Sequence, residues 1–297
     1  IGVYMRRSVA QVCSTFALAS SGVGFLSISI VYGEEFVRHR VNDAGIGILL
    51  IESSVLATGA RCCSNLLQVT SHKCNLESEY LSRKPNTCNH DIAWMVSPSG
   101  STGKPKGVEV RQEQAGNMFR WLIQNHDWTS RDKFVQLYSL TFDMAIFSMF
   151  GALVTGSALY VSGENSEIHS SSVLLDQLQK LRITIAPYVP SVLALSVKNK
   201  KFKELKDLRV IATVGEQLPG VLVSKIHKKL ECDVWNIYGP AEATLIVTKR
   251  VVVNCEKNIS IGKPLSNTRL YSIDLVLHQL WLGGLQISSG YRHRPNL

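Results

Sequence analysis

An unbroken apolar run, Ile92-Ala93-Trp94-Met95-Val96, empties within three residues into Ser99-Gly100-Ser101-Thr102-Gly103-Lys104-Pro105-Lys106-Gly107. The run has the length and character of a buried strand, so the loop leaves a strand end in an α/β layout. Gly100 and Gly103 let backbone approach an anion, Ser101 and Thr102 offer hydroxyl donors, and Lys104 and Lys106 add positive charge. Together they describe an anion-binding concavity. The loop is not a Walker A motif: Pro98 stands where the leading Gly is required and Pro105 where Ser or Thr would follow the Gly-Lys pair. Glycines and serines alone would describe only a surface turn.

The rest of the chain alternates strand and helix signals, which points to parallel βα units. Val9 to Ala19 is predicted as a helix with Val9, Val12, Cys13, Phe16 and Ala17 on its apolar face, and strands are predicted at Phe25 to Val31 and Gly45 to Ile51. Arg61 to Asn89, polar and cysteine-rich, is predicted to be a connector. Beyond the loop, a short strand at Val108 to Val110 precedes a helix over Glu113 to Asn125. A strand at Phe134 to Leu140 delivers Thr141-Phe142-Asp143-Met144 at the head of an apolar helix. Further strands are expected at Ile183 to Ala186, at Leu208 to Val214 and ahead of Tyr238-Gly239-Pro240. Taken by itself, Asp143 is a first-turn acid satisfying free backbone donors, and Glu216 a helix-start residue.

At 297 residues and 45% hydrophobic content the chain can bury one large or two small domains. Its net charge of +9 is spread over Arg6-Arg7, Lys198 to Lys203, Lys228-Lys229 and Arg292 to Arg294, which favours anions in general. No basic stripe interleaved with aromatics points to nucleic acid, and no nucleic-acid partner is expected. Seven cysteines without a C-x-x-C pair favour a reducing, cytoplasmic setting over a disulfide framework. Cys62, Cys63, His72, Cys74, Cys88 and His90 crowd one segment, but their spacings fit no structural zinc pattern. Arg6-Arg7 before an apolar stretch has the outline of a signal peptide. Gln11, Ser14 and Thr15 interrupt it, and a core helix is expected. No run reaches the ~18 apolar residues of a membrane span, so no membrane partner is expected.

The ordered string Ser99 to Gly107 resembles the phosphate loop of the adenylate-forming superfamily, which comprises acyl-CoA synthetases, luciferases and nonribosomal peptide synthetase adenylation domains. Pro98 departs from the Ser or Thr expected there. Asp233-Val234-Trp235-Asn236-Ile237-Tyr238-Gly239-Pro240-Ala241-Glu242 resembles a second family string, with Ala241 in place of the commoner Thr. Ser260-Ile261-Gly262-Lys263-Pro264 and Leu280-Trp281-Leu282-Gly283-Gly284 resemble two more. Phe142-Asp143 is similar to the string in which peptide synthetases pair an Asp with the substrate's α-amino group, a carboxylate that acyl-CoA synthetases lack. The resemblance is therefore closest to a peptide synthetase adenylation domain.

That resemblance implies a layered α/β fold of largely parallel sheets flanked by helices, the large N-terminal portion of an adenylate-forming domain without its C-terminal lid, with residues 1–297 as a partial domain. It implies amino-acid adenylation with ATP and Mg2+, then transfer to a carrier-protein phosphopantetheine thiol. The nucleotide side would be Ser99, Gly100, Ser101, Thr102, Gly103, Lys104, Lys106, Gly215, Glu216, Asn236, Tyr238, Gly239 and Ala241, with Glu242 on the metal. The amino acid would meet Asp143, Met144, Phe147, Pro187, Ala212, Val214, Ile237, Leu245 and Ile246, a lining that implies a neutral, hydrophobic substrate. The family's ribose-binding Asp and catalytic Lys have no counterpart here, so no catalytic residue is assigned and weak or absent turnover is expected. A non-catalytic nucleotide- or amino-acid-binding remnant and an acyl-CoA synthetase-like ligase are the alternative readings.

Overall fold

A computed structural model of the chain describes residues 1–69, 87–97, 106–163, 172–253, 256–274 and 279–293. Two compact units emerge: Ile1–Ala115 with Leu140–Phe142 and Ser288–Leu297, and Gly116–Ser139 with Asp143–Ile287. Ser99, Gly100, Ser101, Thr102, Gly103 and Lys104, like His72 and Cys74, lie outside the described residues.

The first unit contains β1 (Gly2–Tyr4), α1 (Val9–Ser20), β2 (Phe25–Ile28), α2 (Glu34–Asp43), β3 (Leu49–Ile51), α3 (Leu56–Cys62), β4 (Leu66–Gln68), β5 (Ile92–Val96) and β6 (Val108–Arg111). They form a six-stranded sheet in the order β4-β3-β1-β2-β5-β6, parallel except for the β5–β6 pair. β1, β2 and β3 are buried along their whole length, which explains why they read as apolar runs without alternation. Ser8 caps α1 by accepting from the Gln11 N–H at 3.2 Å.

Two expectations are corrected in this unit. The inner face of α1 is Gln11, Val12, Thr15 and Leu18, whereas Val9 and Cys13 are exposed. Burial of the two polar residues is tolerated because Gln11 Nε2 donates to the Met5 carbonyl and Thr15 Oγ1 to the Gln11 carbonyl, both at 2.9 Å. The segment from Arg61 is also more than a connector, since it completes α3 and then supplies β4, which pairs in parallel with β3. A three-residue strand carries too little period to stand out from a polar stretch.

The second unit takes up most of α4 (Gln112–Asn125), followed by β7 (Lys133–Gln136), α5 (Asp143–Val154), β8 (Ala158–Val161), α6 (Ser172–Leu181), β9 (Ile185–Tyr188), α7 (Pro190–Lys198), β10 (Val210–Thr213), α8 (Gly220–His227), β11 (Asp233–Tyr238), β12 (Thr248–Val252), β13 (Lys263–Pro264), β14 (Thr268–Asp274) and β15 (Gln279–Gly284). Its seven-stranded sheet runs β13-β12-β11-β10-β9-β7-β8, with a parallel body and antiparallel β12 and β13 at one edge. β14 and β15 make a separate antiparallel hairpin.

Register decides what each face of this sheet carries. Ile211 pairs with Ala186 and Val234, and these three belong to the core cluster that includes Leu174, Leu193 and Leu222 from α6, α7 and α8. Ala212 pairs with Pro187 and Trp235, so Pro187, Ala212, Val214, Trp235 and Ile237 share the opposite face. Trp128 stacks on Trp235 with ring centroids 5.7 Å apart, and Phe147 of α5 meets Trp128 edge-on at 5.6 Å. α5 therefore covers the face that bears most of the residues assigned to the substrate.

The same aromatic group holds an unusual pair. Lys249 Nζ lies 3.9 Å from the Trp235 ring centroid and 3.1 Å from a His126 ring nitrogen. Burial lowers Lys249 to about 8, and burial followed by the Lys249 charge lowers His126 to about 3. His126 is thus neutral in the folded chain between pH 3 and 6.5, where the unfolded chain binds a proton, so its contribution to stability falls as pH drops through that window. His126→Phe is expected to flatten this acid limb; urea melts at pH 4 and 7 check it, and an unchanged pH difference would refute it. Among the described residues no helix is long and apolar enough to cross a membrane.

Candidate functional site

Parallel strands expose their C-terminal ends at one edge of a sheet, and the connections leaving those ends form the usual ligand crevice. In the second unit a cleft of about 470 Å3 lies there, at the ends of β10 and β11. Gly215, Glu216, Asn236, Ile237, Tyr238 and Gly239 line it. The family resemblance assigns five of these to the nucleotide and Ile237 to the amino acid. Gly215 follows β10 at φ +89, a left-handed turn open to glycine, so the chain leaves the strand without a side chain in the cleft.

Several assigned polar groups already have protein partners. Glu216 accepts from the Ser191 N–H and hydroxyl, each at 2.9 Å. It thereby satisfies the first turn of α7, a different helix from α8, which starts only at Gly220. Asn236 is buried and its Nδ2 donates to the Ser260 carbonyl at 2.9 Å. That bond ties the Ser260 to Pro264 string to β11, whose neighbours Ile259 and Ile261 stand in the cleft wall beside Leu218. Sequence reasoning missed these three apolar residues; the Ser260 to Pro264 string marks the segment, but no period marks its inward face.

Past Gly239 and Pro240 the chain makes a short 3-10 turn, Ala241–Ala243, which carries Ala241 and Glu242 partly buried. Thr244 and Leu245 follow in the left-handed region at φ 56 and 66. A branched and a bulky residue there mark stored strain, of order 1–3 kcal/mol each. It is held by Thr244 Oγ1 donating to the Gln286 carbonyl and by Val247 N–H donating to the Tyr238 carbonyl, both at 2.9 Å. The consequence is that Leu245 and Ile246 point inward and are fully buried.

Asp143 is the first residue of α5. Burial pushes its carboxyl up to about 6; the N–H groups of Met144 and of Asp143 itself pull the other way, and the Glu242 carboxylate adds to the rise. An acid at a helix N-terminus normally has a depressed pKa. Here desolvation wins, and the group is poised to gain from a cation brought against it. Met144 and Phe147, one and four residues on, are buried, as are Pro187, Ala212, Val214 and Ile237 on the sheet face. Among the described residues no cluster of three metal-ligating side chains occurs.

Lys106 lies in the first unit, its Nζ 5.1 Å from the Tyr291 ring centroid. Next to it, the Gly107 carbonyl accepts from the Arg292 N–H at 2.8 Å, and a Cβ on Gly107 would come within 2.8 Å of Met95 Cε. Lys106 is thus the described end of the loop, anchored onto β5 and β6.

Comparison with known proteins agrees with this geometry. A family model described as AMP-binding enzyme matches residues 1–291. Gramicidin S synthase 2 of Aneurinibacillus migulanus is 28% identical over 312 residues, covering the whole of this chain and 7% of that protein. Bacitracin synthase 3 of Bacillus licheniformis is 27% identical over 308 residues, again across the whole chain and 5% of its own length. The chain thus spans only a small fraction of the curated relatives it matches. Among solved structures, the nonribosomal peptide synthetase FmoA3 superposes with a TM-score of 0.87 at 22% identity, covering 99% of this chain and 33% of that one. The Vibrio cholerae adenylation domain AlmE, in complex with glycyl-adenosine-5'-phosphate, gives 0.87 at 20% identity over 99% and 63% of the two chains.

Proposed function

As this chain belongs to the AMP-binding enzyme family, we propose that its site takes ATP and an amino acid and forms an aminoacyl-adenylate, for delivery to a carrier-protein thiol. The observation that carries the reading is Asp143: a carboxyl raised to about 6 by burial, at the head of the helix that covers the apolar sheet face. A substrate ammonium placed against it would replace the lost hydration and pull the carboxyl back to its charged form. A fatty or aryl acid would leave that carboxylate without a partner, which favours an amino acid.

The nucleotide would lie in the cleft of Gly215, Tyr238 and Gly239, its base against Leu218, Ile259 and Ile261. Solved relatives support this, one bound to glycyl-adenosine-5'-phosphate and another to AMPPNP. Ser99, Gly100, Ser101, Thr102, Gly103, Lys104 and Lys106 would cradle phosphates. A single carboxylate fits the way magnesium is usually held, by one or two acids together with substrate phosphates. Glu242 would supply that acid, and the ion would neutralise phosphate charge. Residues 1–297 would then represent the larger portion of an adenylation domain.

Met144, Phe147, Pro187, Ala212, Val214, Ile237, Leu245 and Ile246 offer no polar side chain to a substrate side chain, so a neutral, hydrophobic amino acid is expected. Discrimination within that class is modest, ~1–3 kcal/mol per methylene. Calorimetric binding of non-hydrolysable aminoacyl-adenylate analogues is the test. Leucyl or phenylalanyl analogues should bind at least ~10-fold tighter than lysyl or glutamyl ones; equal or reversed affinities would overturn the specificity, and no adenylate binding would overturn the function.

A further inference from the structure

A second cavity, of about 110 Å3, lies wholly within the first unit. It is lined by Leu26, Ser27 and Ile28 of β2, by Tyr32, Phe36 and Arg40 from and ahead of α2, and by Ser97, Thr141 and Phe142. Arg40 is 7% exposed. One arm of its guanidinium is spent, with Nη2 donating to the Ser97 carbonyl at 3.2 Å. The plane is steadied from the side by the Phe36 ring, 4.9 Å from Cζ. The other arm, Nη1, is buried and has no hydrogen-bond partner among the described residues, and the same holds for the Ser27 hydroxyl on the adjoining strand.

A buried, charged donor without an acceptor is costly, more so than a neutral one at ~1–3 kcal/mol. Burial lowers the Arg40 pKa while Tyr32 and Asp43 act in the opposite direction, so the surroundings compensate the charge only in part. Asp43, the acidic group that acts on Arg40, is not among the lining residues, and among the described residues no other carboxylate lines the cavity either. Tyr32 and Ser97 are further hydroxyl-bearing residues of the lining. The unpartnered inventory is one guanidinium arm with the Ser27 hydroxyl beside it, and it fits a compact acceptor of full negative charge. The volume corresponds to three or four waters at ~30 Å3 each, which is room enough for a five-atom ion.

We propose that Arg40 and Ser27 form a site in the first unit for one tetrahedral phosphate group, its lining sharing no residue with the cleft of the second unit. The group has two sources, free inorganic phosphate or the end of a pyrophosphate chain, and the site does not depend on the adenylation reading.

The test is thermal unfolding of the chain at pH 7.5 and constant ionic strength, with sodium phosphate or sodium pyrophosphate replacing chloride. At about ten times Kd, phosphate should raise the wild-type Tm by ~2–4 °C. Arg40→Met should abolish the shift, and Ser27→Ala should reduce it. Without phosphate, R40M should melt no lower than wild type, because an apolar chain replaces an uncompensated buried charge. Arg40→Lys, which keeps the charge but loses the fork, is the second variant should R40M fail to fold, and it should lose most of the shift. Line broadening of the phosphate 31P resonance by wild type but not by the variant gives an independent readout. A shift with both anions assigns free phosphate, and a shift with pyrophosphate alone assigns the chain end. No shift with either, or a shift in the Arg40 variants as large as that of wild type, overturns the site.

Discussion

Asp143→Asn is expected to weaken binding of an aminoacyl-adenylate analogue by ~10²- to 10³-fold while making the ligand-free chain more stable at pH 8. The first effect follows from the proposed pairing. Removing one partner of a buried, hydrogen-bonded ion pair costs ~3–5 kcal/mol, because the other charge is left in place without compensation. AMP, which lacks the ammonium, should bind both proteins alike. Measuring the two ligands side by side therefore separates loss of amino-acid recognition from general damage to the cleft.

The second effect follows from the raised carboxyl. Between its ordinary value of 3.8 and the folded value of about 6, the folded chain holds a proton that the unfolded chain has released. Stability is therefore intact below pH 3.8, falls as pH rises through 6, and stays lower above it. The amide cannot ionise, so Asp143→Asn should remove that fall, on the order of 1–2 kcal/mol at pH 8 after allowance for solvent reaching the partly exposed residue. This window runs opposite to that of His126, whose contribution declines as pH drops. In the variant the acid limb should consequently stand alone. A site residue whose removal stabilises the fold is the signature of strain kept for binding. Equal affinity for the aminoacyl analogue, or lower stability of the variant at pH 8, would refute the assignment.

How much of this is legible in sequence depends on whether the signal is local. Ile92–Val96 stands out to the residue, because it is an apolar run closed by turn chemistry, and the strand expected ahead of the Tyr-Gly-Pro turn is found at Asp233–Tyr238. Asp143 falls at a helix head for the same reason. The strand expected at 134–140 ends instead at Gln136, since only Lys133 to Gln136 find partners on β8. The inner face of α1 differs from its apolar pattern because Gln11 and Thr15 look like surface residues until their bonds to backbone are seen. Nothing local links Lys249 to Trp121 and His126; β12 must first fold back antiparallel on β11 to set Lys249 opposite Ile237. Arg40 shares its helix with Glu34, Glu35, Arg38 and Asp43, and no pattern singles it out as the charge turned inward. Periodicity reports which side is apolar, and it is silent on a polar group that the fold buries for a partner.

Gly239→Ala is expected to cost ~3 kcal/mol or more, a fall in Tm of ~6–12 °C, for a single added methyl group. The backbone conformation is not the obstacle, since Gly239 is absent from the positive-φ residues. Space is the obstacle: a Cβ there would lie 2.4 Å from the Leu245 carbonyl oxygen, 2.8 Å from its carbon and 2.9 Å from Val247 N. All three are backbone atoms, so no side chain can rotate away. Nor can the segment retreat easily. Val247 N–H is bonded to the Tyr238 carbonyl, the Val247 carbonyl accepts from Leu265 N–H at 2.9 Å, and Thr244 is tied to Gln286. Any shift must also carry Ala241 and Glu242, which lie between the two colliding residues, so nucleotide affinity should fall together with stability. Gly116→Ala is the matched control, because a Cβ at that position in α4 meets nothing within 4 Å. Replacing a helix-interior glycine by alanine should stabilise by ~0.5–1 kcal/mol. Opposite signs for the two glycines in urea melts are the expected result, and a Gly239→Ala protein within about 1 kcal/mol of wild type would show that the strained turn after β11 yields where the packing says it cannot.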